Sequence, residues 1–297
     1  MKKIAFMIAT VTMCSVTLAQ NARMEMRIMK NNTVLFSQDI NEIDSIIFVE
    51  TEEQEKPSNN GVLNGIFSVS ETKQVQFSQG NLQYQASTGT WRFAEHQYDT
   101  IGGYNNYISD TYDGWIDLFG WGTGTNPTKT DNTGYSTFAD WGANPISNGG
   151  NQAGMWRTLS YEELNYLFST RSNAQNLRSH ATVCGLAGYI LLPDNFVLPD
   201  GLSWSSGVYD EANYYASNIY DATQWAQMES AGAVFLPITG IRSSYGVASP
   251  IGKNGQYWTS TESNEYYSYK LYFHPTDVTI YGGNRNYGLA VRLVKDK

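Results

Sequence analysis

Apolar and charged residues alternate from Met24 to Ile28, and after Lys30-Asn31-Asn32-Thr33 the run Val34-Leu35-Phe36 is extended again. Period two broken by a polar turn predicts a β-hairpin. Ile40, Ile43, Ile46, Ile47 and Phe48 follow, with Asp39 and Asp44 among them, as a helix-like or looped link into a third strand. About 30 residues of this kind bury too little apolar surface to be stable alone, so 20–49 reads as a small β appendage. Residues 50–61 are polar and acidic and close on Pro57 and Gly61, the composition of an exposed linker.

From residue 62 to 297 the chain reads as one larger domain. Alternation marks Gly65–Ser70, Lys73–Ser78 and Leu82–Gln85, with Ser87-Thr88-Gly89-Thr90 as the turn before Trp91-Arg92-Phe93. Three or four antiparallel strands therefore open it. Gly and aromatic residues crowd Asp113 to Trp141, which predicts a long ordered loop. Two helices follow. Ser160 stands three residues before Glu163 in a capping-box spacing, and Leu164, Leu167 and Phe168 fall on one helical face. Asp221 caps the second helix, where Trp225, Met228 and Ala231 recur at helical spacing before Gly232. Strands return at 233–238, 256–260, 267–273, 278–281 and 287–294. The fold class is mixed α+β, with two main helices and antiparallel strands.

Composition narrows the function. Charged residues are only 16% of the 297, against about 25% in an average domain. The formal net charge is -9, which disfavours nucleic acid and anionic lipid as partners. Lys2 and Lys3, the apolar run Ile4–Val11 and the small residues of Thr17-Leu18-Ala19 predict an export leader over 1–19. Val11-Thr12-Met13 before Cys14 lacks the small residues of a lipoprotein signal, so the expected location is periplasm, outer surface or medium. Cys184 is then the single thiol, and no disulfide supports the core. The longest later apolar run, Val183–Leu192, is interrupted by Gly185 and Gly188 and is too short for a membrane span.

Catalytic chemistry finds little support. His96, His180 and His274 stand far apart with no second His or Cys at ligand spacing. Calcium remains open through loop oxygens at Asp194-Asn195 or at Asp110, Asp113 and Asp117, residue types that also make turns; otherwise no cofactor is expected. A carboxylate pair within 110–117 is the alternative reading, as an extracellular carbohydrate-active enzyme. A surface- or pilus-associated structural subunit, joined through the N-terminal hairpin, is the other.

The C-terminal stretch points to binding. Tyr269, Leu271 and Phe273 fall on one face of a strand, and Lys270, Tyr272 and His274 on the other. The first set is the expected core. The second, with Glu262, Asn264, Tyr266, Tyr267, Tyr281, Asn284, Asn286 and Tyr287, combines rigid aromatics with adaptable amides, as antibody-like surfaces do. Tyr and Asn also simply suit strands and turns. Arg292 alternates with Val291 and Leu293 and is expected in a buried pair with a carboxylate. Trp115, Trp121, Trp141, Trp156, Trp204 and Trp225 are expected as core or loop staples, with one exposed at most.

Trp156-Arg157-Thr158-Leu159-Ser160-Tyr161-Glu162-Glu163-Leu164, Gly188-Tyr189-Ile190-Leu191-Leu192-Pro193-Asp194, Tyr257-Trp258-Thr259-Ser260-Thr261 and Gly288-Leu289-Ala290-Val291-Arg292-Leu293-Val294 together resemble the Fibrobacter-type major paralogous domain of exported Bacteroidetes proteins. That domain is similar to the formylglycine-generating-enzyme branch of the C-type-lectin-like fold. The resemblance covers roughly 64–294 and is strongest in the last forty residues. It implies that the terminal strands pair with early ones. The oxidases of that branch need a cysteine pair that Cys184 cannot supply, and the Glu-Pro-Asn and Trp-Asn-Asp calcium motifs of sugar-binding lectins are missing. The pattern from Asn264 to Tyr287, framed by Trp258, Leu271, Phe273, Gly288 and Val291, also resembles retroelement-diversified variable proteins. The expected function is therefore a non-enzymatic recognition module for a protein or glycan.

Overall fold

The computed structural model describes residues 25–30, 33–42, 60–207, 215–243, 248–249, 254–275 and 277–297. The chain forms two compact units, Met1–Lys56 and Pro57–Lys297. In the first, β1 (Glu25–Lys30) and β2 (Thr33–Asp39) make an antiparallel hairpin that turns at Lys30 and Thr33 and is bulged between Ile28 and Met29. A 3-10 turn over Ile40–Glu42 follows. The expected leader over 1–19, the third strand near 46–48 and residues 50–59 of the linker lie outside the described residues.

The larger unit carries fifteen further strands in chain order. They begin with β3 (Phe67–Ser68), β4 (Gln74–Phe77), β5 (Leu82–Gln85), β6 (Thr90–Phe93), β7 (Trp115–Ile116), β8 (Arg178–Val183) and β9 (Leu186–Leu191). They continue with β10 (Ile219–Tyr220), β11 (Val234–Pro237), β12 (Ile241–Arg242), β13 (Ala248–Ser249), β14 (Gly255–Glu262), β15 (Tyr267–His274), β16 (Asp277–Asn284) and β17 (Val294–Asp296). The helices are α1 (Tyr161–Asn165) and α2 (Ala222–Ser230). Sheet orders are β17-β4-β3, β6-β5-β7, β10-β8-β9-β11, β12-β13 and β14-β15-β16. Pairing is antiparallel except between β10 and β8. The fold is strand-rich mixed α+β.

Both helix starts follow from local sequence. Ser160 Oγ accepts from the Glu163 backbone N–H at 3.2 Å while Glu163 accepts from the Ser160 N–H at 3.0 Å. Asp221 and Gln224 make the same reciprocal pair. Leu164, Leu167 and Phe168 are buried as expected, but the α1 winding loosens into a π-helical turn over Tyr166–Thr170. Trp225 and Met228 anchor α2.

Sequence pattern alone leaves one buried segment unassigned and draws another as a single strand. The run Val183–Leu192, weighed above only as a membrane span, is the turn and return strand of the β8–β9 hairpin. Cys184 and Gly185 turn it with φ of 50° and 82°, both left-handed, and only Gly185 adopts this at no steric cost. Nor is 287–294 one strand. Gly288 pairs with Arg242, Leu289 with Phe119, and Ala290 with Gln256 and Trp258. Val291 and Leu293 accept from Leu82 and Ser78, and Val294 pairs with Arg157. Successive residues bond to different neighbours, so the segment threads the centre of the domain before β17 joins β4.

That segment separates the cores. Ala290 and Val294 pack with Phe67, Phe77, Leu167 and Phe273. Leu289, Val291 and Leu293 pack with Trp91, Trp121, Trp141 and Trp156. A third cluster joins Trp225, Met228, Phe235 and Ile190. Arg292 is buried as expected, but its partners are amides and a carbonyl, Asn81 Oδ1 at 3.2 Å, Gln97 Oε1 and Phe235 O, with no carboxylate in ion-pair contact among the described residues. Burial lowers its pKa to about 10. Trp121, Trp141, Trp156 and Trp225 are core, whereas Trp115 and Trp204 are half-buried, with Arg92 stacked 3.7 Å from the Trp115 ring centre. No described helix is long and apolar enough to cross a membrane.

Candidate functional site

Directly opposed residues of neighbouring strands share a face. On β15, Leu271 lies opposite Tyr257 and Ile280, and Phe273 opposite Val278, all on the side of the first core. Lys270 lies opposite Tyr281, Tyr272 opposite Gln256 and Thr279, and His274 opposite Asp277. The expected division of β15 into two faces is thus present in the register, but Tyr269, expected in the core, is half-buried against Tyr161, with ring centres 4.3 Å apart.

Exposure divides the predicted residues differently. Tyr266, Tyr267 and Tyr281 are exposed at 66%, 40% and 41%. Tyr272, His274, Asn284, Asn286 and Tyr287 are half-buried. Lys270 is buried, which corrects its expected place among the contacts. Its ammonium donates to Gln256 Oε1 and lies 4.8 Å from the Tyr281 ring centre and 5.7 Å from that of Tyr272. The Gly283 position leaves room for the lysine stem, since a Cβ there would meet Lys270 Cδ and Cε at 2.8 Å. Desolvation lowers the Lys270 pKa to about 8. Tyr267 and Asn284 oppose each other on the Tyr269 side, away from Tyr272 and Tyr281.

Several predicted contacts also shape the loops. Asn264 Oδ1 accepts from the backbone N–H groups of Tyr266 and Tyr267, both at 2.9 Å, and fixes the β14–β15 turn. Asn286 donates to Asn132 Oδ1 at 3.0 Å. Sequence reasoning missed the organiser, Arg285. Buried against Trp121 with its guanidinium carbon 4.5 Å from the ring centre, it donates to Glu262 at 3.0 Å, to Tyr135 O at 3.0 Å and to Asn264 O. One arginine thereby ties the β14–β15 turn to the loop at 135. A lone Arg among glycine and asparagine was the visible signal.

The carboxylates of the alternative reading do not share one solvent-facing site. Asp117 is fully buried and accepts from Ile101 N at 3.0 Å and Asn105 Nδ2 at 2.8 Å, while Asp110 and Asp113 are exposed. Burial raises the Asp117 pKa to about 6 against those hydrogen bonds. Asp194 is engaged by Arg171 at 3.0 Å and by Ser68 at 2.7 Å. Among the described residues no three His, Cys, Asp or Glu side chains converge as a metal site. An open groove of about 600 Å³ lies between the β3–β4 turn and the start of α1, and none of the predicted contact residues lines it. Its central Arg157 is held by Glu163 at 2.7 Å and Asp296 at 2.6 Å. Among the described residues the most exposed aromatic rings outside the C-terminal sheet are Tyr104 and Tyr107, which sequence reasoning also missed.

Set against protein-family models, curated proteins and solved structures, the chain matches none.

Proposed function

We propose that this protein is an exported, non-enzymatic recognition module with a C-type-lectin-like fold of the formylglycine-generating-enzyme type. It binds a protein or glycan through the outer ends of β15 and β16. The observation that carries the reading is the exposure of Tyr281 on β16 and of Tyr266 in the turn before β15, beside a sheet whose other face is locked into the core by Leu271 and Phe273. A tyrosine has few rotamers to lose and offers both an apolar ring and a hydroxyl, so it gains contact area at little entropic cost. Tyr272 lies 5.4 Å from the Tyr281 ring in an edge-on arrangement, and His274 lies 5.5 Å from Tyr272, which extends the surface along β15.

The test is a glycan and surface-protein array probed with the wild type and with a Tyr266→Ala, Tyr281→Ala variant. Both rings are exposed and only Tyr281 also faces the Lys270 ammonium, so the variant should stay folded with at most a small loss of stability. A pair of interface tyrosines is worth about 2 kcal/mol or more, so the hit should weaken at least about thirtyfold. Equal affinity of the two proteins for every hit counts against the proposal.

A further inference from the structure

The segment from Ile101 to Tyr112 holds its tyrosines outward on a fixed base. Tyr104 and Tyr107 lie on a 3-10 helix, Gly102–Tyr107, where residues three apart eclipse one another, and they are 66% and 62% exposed. Between them Asn105 is wholly buried. Its amide donates to Gly102 O and to Asp117 Oδ1, both at 2.8 Å, and its oxygen accepts from the Asp117 and Leu118 N–H groups at 3.0 and 3.1 Å. Both donors and both acceptor positions of the side chain are therefore used. Tyr112, half-buried against the second core, continues the row. Ring centres are 6.4 Å apart from Tyr104 to Tyr107 and 6.1 Å from Tyr107 to Tyr112. Core packing does not account for rings that are mostly in water on a base this completely bonded.

We infer that Tyr104, Tyr107 and Tyr112 form a second binding site, for a single chain of an uncharged polysaccharide. The site shares no residue with the C-terminal surface and goes beyond the function proposed above. Aromatic faces carry negative charge in their quadrupole and attract the apolar C–H face of a pyranose, while the phenol edge hydrogen-bonds its hydroxyls. Charge disfavours anionic ligands, because the charged side chains of the segment Ile101–Asp113 are the exposed carboxylates of Asp110 and Asp113. A protein partner would need about 800 Å² on this side. Among the described residues, two rings 66% and 62% exposed, with exposed Asn106, Asp110 and Thr111 around them, fall short of that area. The ring planes are inclined by 41° and 35°, so no flat crystalline face lies against all three.

Calorimetric titration of the purified protein with cellohexaose, xylohexaose and mannohexaose tests the site, alongside hyaluronan, a chitosan oligomer and sedimentation with microcrystalline cellulose. At least one neutral hexaose should bind with little dependence on salt, and crystalline cellulose should not retain the protein. Tyr104→Ala with Tyr107→Ala should weaken that binding by at least about tenfold. Tyr104→Phe with Tyr107→Phe, which keeps the rings, should weaken it less. Tyr266→Ala with Tyr281→Ala should leave it unchanged. No binding by any neutral hexaose, a preference for hyaluronan or chitosan, or retention by crystalline cellulose overturns the inference. Loss of hexaose binding in the Tyr266/Tyr281 variant alone also overturns it, while leaving the C-terminal surface standing.

Discussion

Lys270 puts a charge where alternation along β15 leads one to expect a solvated contact. Its ammonium has left water for one amide oxygen and two tyrosine faces, and cation–π attraction offsets only part of that desolvation. The folded protein accordingly holds this proton less tightly than the unfolded chain, with a pKa of about 8. The penalty is full below about pH 8 and fades as the unfolded lysine also deprotonates near its ordinary value of about 10.4, so this residue makes stability rise with pH across that window. Replacing Lys270 with Met removes the titration. Urea unfolding should therefore favour the variant, relative to wild type, more at pH 7 than at pH 10, by on the order of 2 kcal/mol. A stability difference that stays flat between the two pH values would contradict the buried-charge account. The same burial means that Lys270 stiffens Tyr272 and Tyr281 from behind instead of touching a ligand.

Elements set by a few adjacent residues were legible in the sequence, and elements set by tertiary partners were not. Ser160 and Asp221 announce their helices because each cap is completed within four residues. The β1–β2 hairpin is visible for the same reason. The β8–β9 hairpin was hidden because both strands are buried on two sides, with Ser179 to Ala181 and Gly188 to Leu191 inside in unbroken runs, so no period-two signal survives. Alternation told which way Tyr272 and Lys270 face but not what covers them. The Gly102–Tyr107 turn shows how far a local element depends on distant groups, since its base is Asp117. Asp117→Asn keeps the shape and removes the charge, yet one former oxygen becomes an N–H donor facing either Ile101 N–H or Asn105 Nδ2. Asn105 cannot flip to accept it without losing Asp117 N–H and Leu118 N–H. The substitution should destabilise by about 1–3 kcal/mol, the usual cost of a buried unpaired donor, and lower the melting temperature at pH 7. An unchanged or raised melting temperature would mean that relief of the buried charge outweighs the broken network.

At the scale of the molecule, the five small sheets of unit Pro57–Lys297 share one internal scaffold, the run Gly288–Val294. Its backbone bonds reach segments near 78, 82, 119, 157, 242 and 257, and its side chains alternate between the first and second cores. Arg292 adds a hydrogen bond to Phe235 O, beside the third. A two-stranded sheet is marginal alone and sheets of three or four strands need a covered hydrophobic face, so their stability has to come from sharing these cores. Unfolding one core would strip partners from the same seven residues that support the others, and the larger unit should therefore unfold as one cooperative body. Leu293 is the sharpest place to test this, being fully buried among the tryptophans of the second core. Leu293→Ala should cost about 2–5 kcal/mol through lost transfer energy and the cavity left behind. Tryptophan fluorescence from the second core and far-UV dichroism from the whole fold should shift together in denaturant. If fluorescence moved first and dichroism followed in a separate step, the run would be a local strut of the second core, and the three clusters would be independently stable pieces joined by chain alone.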